Sequence, residues 1–175
     1  MATRDEHTPI PRGIYALKGF MVVVFGFFGW LMATVRWSEL GPHVPLVLRI
    51  LLGGTFLLSS LPKLRDREAF VEIVDDYRLT PRPVSRLVGH VLPFVELLTA
   101  LALLTGIALS WTASIAAVLF ALFAVAVAVN LLRGHTQISC GCFGAELDEH
   151  LHWWMVGRNA LLLAAAVSLA DLGPG

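Results

Sequence analysis

Cys140 and Cys142 are the only cysteines of the chain, and a single glycine separates them within the run CGCFG at 140–144. Thiols this close can meet only across a tight turn, and Gly141 gives the backbone the freedom such a turn needs. A disulfide closed over so short a span is expected to be strained. Strain makes a disulfide easier to reduce and a stronger oxidant, which suits a working redox pair better than a structural staple. Two other readings stay open at this point: a pair of reduced thiols in a loop, or two ligands of a metal site. His135, His150 and His152 flank the cysteines and would supply borderline ligands for zinc or copper. His150 and His152 also abut Trp153, a residue type that anchors helices at the membrane surface, so an interfacial role competes with ligation.

A second set of residues draws notice because polar groups are rare around it. Lys63, Glu96, Arg133 and Arg158 lie in or at the ends of long apolar runs, as do His90, Asn130 and Asn159. Ionisable groups in such runs are costly and usually serve function. Glu96 falls well inside its run and needs a partner or a proton. Arg158 is the expected partner, because it also lies inside a run and its planar fork can hold a carboxylate at two points; Lys63 and Arg133 are the other candidates. Arg133 and Arg158, if close to the cysteines, would favour the reactive thiolate, and Glu96 or His90 would handle protons.

The elements that must position these groups are membrane helices. Hydrophobic residues make up 57% of the chain and charged ones 15%, with a mean hydropathy of +0.74, which is far from a soluble balance. The formal net charge is zero, so no overall basic field points to nucleic acid. Residues 1–18 read as a disordered tail broken by Pro9, Pro11 and Gly13, and 19–45 as a first span (19–35) with its connection. Further spans are expected at about 46–61, 84–109, 110–132 and 153–170, with a negligible tail at 171–175. Pro62 and Lys63 are expected to end the second span, and Arg49 to snorkel from its first turns.

Between them, residues 66–77 place Ala69, Phe70, Ile73, Val74 and Tyr77 on one helical face, too short and too charged to cross, so an amphipathic connector lying on the bundle is predicted. Ala113, Ala117, Ala121, Ala124 and Ala128 argue for close packing of the fourth span. The fold class is therefore an all-α transmembrane bundle, multi-pass in a cell membrane, with the lipid bilayer as its solvent. Alternation of spans brings Lys63, Arg133, Cys140 and Cys142 to one face of the membrane.

In order along the chain, KLRDREAF (63–70), Tyr77 and Pro81, LPFVE (92–96), NLLRG (130–134), CGCFG (140–144) and Arg158-Asn159 make residues 46–170 resemble the MauE branch of the DoxX-like membrane proteins. The resemblance implies a four-helix membrane core, to which 19–35 adds a span. It also implies a redox-linked role in maturing a disulfide-rich client beside a thioredoxin-like partner. On that reading Cys140 and Cys142, with Glu96, Arg133, Arg158 and Lys63, form a thiol-disulfide site. A membrane quinone is a candidate electron acceptor by analogy with other dithiol membrane enzymes. The rivals are a metal-handling or small-solute protein using His135, Cys140, Cys142 and His150, and a non-catalytic assembly subunit. Orientation is contested. Ten basic residues near span ends on the cysteine side against Arg36 and Arg49 favour a cytoplasmic cysteine loop, whereas disulfide maturation belongs outside the cytoplasm.

Overall fold

The computed structural model describes residues 43–141 and 150–172; the expected tail at 1–18, the first span at 19–35 and Cys142 lie outside them. Five helices follow in order: α1 (Val44–Arg65), α2 (Arg67–Asp76), α3 (Arg82–Thr105), α4 (Leu109–Leu132) and α5 (Trp153–Leu172). All but α2 are long and apolar enough to cross a membrane, with lengths of 22, 24, 24 and 20 residues. Their outward faces carry Leu87, Leu98, Trp111, Val118 and Leu132, all exposed, which is the surface a lipid-facing bundle presents.

The starts and stops follow from local chemistry. Proline stands in the first turn of α1 and again of α3, where its missing N–H costs nothing. Pro62 does not end α1, contrary to the expectation above. The helix runs on to Arg65, and the Pro62 carbonyl still accepts from the Asp66 N–H at 3.1 Å. Asp66 then caps α2, its Oδ1 accepting from the Ala69 N–H at 3.1 Å. Helix α3 stops four residues short of the expected boundary. Gly106 adopts φ +79, its N–H bonds back to the Ala102 carbonyl at 2.8 Å, and a three-residue turn leads straight into α4. So short a turn makes α3 and α4 antiparallel neighbours.

Packing is pairwise. Helix α4 lies along α5, with Ala113 and Ala116 of α4 fully buried, and α1 lies along α3. The connector α2 lays Phe70, Val71 and Ile73 on the bundle, as its amphipathic pattern requires. Val71 approaches α3 at Gly89, where an added Cβ would sit 2.7 Å from a Val71 methyl. The chain after α4 turns at Gly134, and Ser139 pairs with His150 in an isolated antiparallel bridge. Ile73, Tyr77, Val127, Cys140, Leu151 and Met155 close into one apolar cluster, which seats the cysteine segment on α2 and on the adjoining ends of α4 and α5.

Candidate functional site

The site starts from one side chain that the sequence misfiles as a helix end. Because α1 continues past Pro62, Lys63 stays on the helical face of Ser59, one turn below it, and is 2% exposed. Its ammonium donates to Glu96 Oε1 at 2.6 Å, to Glu96 Oε2 at 2.8 Å and to Ser59 Oγ at 3.0 Å. Ser59 in turn donates to Glu96 Oε2 at 3.2 Å. Lys63 thereby uses all three of its hydrogens, and the charge-assisted bonds to the fully buried Glu96 are short, as bonds between ions are. The rings of Phe70 and Phe123 lie 5.0 and 5.4 Å from the ammonium and present their negative faces to it. The expectation that Glu96 pairs with Arg158 is corrected: the partner is Lys63.

Helix α5 packs chiefly against α4, and within α5 the Arg158 guanidinium lies 5.2 Å from the ring of Trp154, one turn earlier on the same helix. Arg158 is nonetheless buried, and it shares the wall of one cavity with Lys63 and Cys140. That cavity holds about 400 Å³ and is lined by all five helices and the cysteine segment, mostly with leucine, valine and phenylalanine. Cys140 is 8% exposed and disulfide-bonded, and no cysteine among the described residues is free. Its carbonyl accepts from the Tyr77 hydroxyl at 2.9 Å. Gly141 holds φ +63, and a Cβ there would lie 2.7 Å from an Ile73 methyl, so a side chain is refused twice, by conformation and by space. Burial pushes the Tyr77 phenol up to about 12, with the nearby Arg158 cation pulling against it.

Other expected site residues lie elsewhere. Arg133 is exposed and donates to the Arg78 carbonyl at 3.4 Å, away from Glu96. His90, expected inside the bilayer as a proton carrier, is exposed on the outer side of α3, 3.7 Å from Glu68 and bonded to the Arg86 carbonyl. Asn130 is buried and donates to the Ala126 carbonyl at 3.0 Å, with His135 beside it. Among the described residues no three His, Cys, Asp or Glu side chains gather into a metal-ligand set; of the metal reading's four residues, Cys142 lies outside them. Sequence reasoning overlooked Ser59, although its spacing of four from Lys63 is the helical signal for contact. It also overlooked that Phe70 and Phe123 surround the Lys63 ammonium, for which no local signal exists.

A family model described as methylamine utilisation protein MauE matches residues 41–171. The methylamine utilization protein MauE of Paracoccus denitrificans is 42% identical over 129 residues, covering 74% of this chain and 69% of its own. Those of Paracoccus versutus and Methylorubrum extorquens are 41% and 39% identical over 133 residues, each covering 76% of this chain and 72% of its own. No solved structure matches.

Proposed function

The chain belongs to the MauE family, a family of multi-pass membrane proteins, and from that premise we propose that it is a membrane thiol-disulfide component that supports maturation of a partner protein in methylamine utilisation. The observation that carries the reading is the joint position of Cys140, Lys63 and Arg158 on one cavity wall, with Glu96 bonded to Lys63 behind it. A disulfide passes to a client by attack of the client's thiolate on one sulfur, giving a mixed disulfide that the client's second thiol resolves. The client leaves oxidised, and Cys140 and Cys142 are left as two thiols. Arg158, which lines the same cavity as Cys140, supplies positive charge that favours the Cys140 thiolate as the group that leaves in the first step. Glu96 is the group suited to take up a proton, with Lys63 balancing the charge. The client is a thioredoxin-like protein or a disulfide-bearing one.

Trapping tests this. With Cys140→Ser, the thiolate of the remaining Cys142 should attack the disulfide form of the partner and accumulate as a mixed disulfide, because no second cysteine of this chain is left to resolve it, while the bundle stays folded because neither cysteine closes a long loop. A double Ser variant that fully supports methylamine growth would remove the redox role. Membrane-impermeant maleimide, applied to intact cells after reduction, reports the side on which the pair lies.

A further inference from the structure

One polar group in the cavity wall has nothing to bond. Asn159 is 3% exposed, and its Nδ2 makes no hydrogen bond. A buried amide donor left without an acceptor costs on the order of 1–3 kcal/mol, so a buried site that tolerates one commonly serves a ligand that supplies the acceptor. The same cavity is lined by Cys140, Gly141, Lys63 and Phe120. Toward the other side its wall includes Leu122 and Val125 of α4, which are 58% and 59% exposed on the flank of a membrane-spanning helix. This flank opens the cavity to the hydrocarbon of the bilayer.

The ligand that fits has an apolar body able to enter from lipid, a flat ring to lie on aromatic walls, and a carbonyl oxygen to accept from Asn159. We propose that the cavity binds the head of a membrane quinone and that this quinone reoxidises the Cys140/Cys142 pair. The volume of about 400 Å³ lies within the ~300–1,000 Å³ usual for small-molecule sites. The step balances: two S–H bonds break, one S–S bond forms, and the two electrons and two protons released convert the two quinone carbonyls to the two hydroxyls of the quinol. Cys140 is the cysteine placed to meet the ring, since it lines the cavity and is nearly closed to water. Asn159 is then a binding residue that holds one carbonyl toward it.

This inference rests on the thiol-disulfide reading, and the experiment separates the two. Oxidised protein in lipid nanodiscs is titrated with a short-tailed benzoquinone, and binding is followed by quenching of tryptophan fluorescence. Wild type should bind, and Asn159→Leu should weaken binding roughly tenfold, the scale of one buried hydrogen bond. Its thermal unfolding should be unchanged or raised, because the donor had no partner to lose. Ala126→Phe, which fills the cavity from α4, should abolish binding without touching Asn159. Reduced wild-type protein, kept anaerobic with the quinone, should yield one quinol per disulfide formed. Absence of binding, binding indifferent to both substitutions, equal competition by an alcohol of the same tail length, or bound quinone that yields no quinol while mixed-disulfide trapping is intact would each overturn the proposal. The binding arm involves no thiol chemistry, so its failure with mixed-disulfide trapping intact counts against the cavity alone. Inert cysteines with quinone still bound would instead remove the thiol-disulfide reading.

Discussion

The bundle carries an inward-reaching cation near each end, and the two are satisfied in different ways. Arg49, on the first turns of α1, donates through Nε to the Leu103 carbonyl and through Nη2 to the Leu104 carbonyl, both at 3.0 Å. Its partners are the last carbonyls of α3, which have no acceptor role within their own helix, so the guanidinium acts as a cap for a neighbouring helix. Backbone carbonyls do not titrate, and that end can do no proton chemistry. Lys63, near the other end of α1, is held by a carboxylate and a hydroxyl beside a cavity. One cation closes a helix end and the other serves a pocket, and only the kind of partner distinguishes them.

If that difference is real, the two cations respond unequally to removal. Lys63→Met leaves the Glu96 carboxylate buried with Ser59 alone and should cost about 3–5 kcal/mol, read as the unfolding midpoint in detergent. Adding Glu96→Leu should recover most of the loss, because breaking a buried pair is costlier than replacing both members. A double variant no better than the single would mean that the pair is not the energetic unit. Arg49→Met should cost less, about 2–3 kcal/mol for two charge-assisted bonds at a half-exposed position. Equal losses at Arg49 and Lys63 would erase the contrast.

Much of the frame was legible from the residues, since apolar run length gives the spans and the spacing of Phe70, Ile73 and Tyr77 gives the connector. The partner of Glu96 was not. Choosing between Lys63 and Arg158 requires knowing that α1 packs along α3 while α5 packs along α4, a tertiary fact that no local pattern encodes. Treating Pro62 as a stop compounded the error. A proline removes one N–H yet lets the helix continue when its φ already suits the helix, and Lys63 then remains on the face of Ser59. Asn159 was visible as a polar residue inside a span, but its missing bond emerges only once every neighbouring acceptor has been located.

Two smaller effects sharpen the same contrast at the cysteine end. Gly141→Ala should destabilise by roughly 2 kcal/mol, from the left-handed backbone and from the Ile73 methyl. Gly134→Ala, at φ +78 with open space around it, should lose only the backbone part. Ile73→Ala should cost less in the Gly141→Ala background than alone, and strict additivity would deny the contact.

The smallest effect is a titration. The Tyr77 phenol should ionise near pH 12 rather than 10, followed by phenolate absorbance. Because the unfolded chain gives up that proton first, the Tyr77 contribution is fully present below pH 10 and is lost as pH rises toward 12. Tyr77→Phe should abolish that slope, and an unchanged slope would place its origin elsewhere.

The closed ring of Ser59, Lys63 and Glu96 has an electrical consequence. A lone charge carried across a membrane does work of about 2.3 kcal/mol per 100 mV. Here the positive and negative groups are 2.6 Å apart, so the pair samples only a sliver of the transmembrane voltage and contributes no net charge. A proton that reaches Glu96 from one face and leaves by that same face also performs no work against the field. The intact Lys63–Glu96 pair therefore adds almost no voltage dependence to the fold.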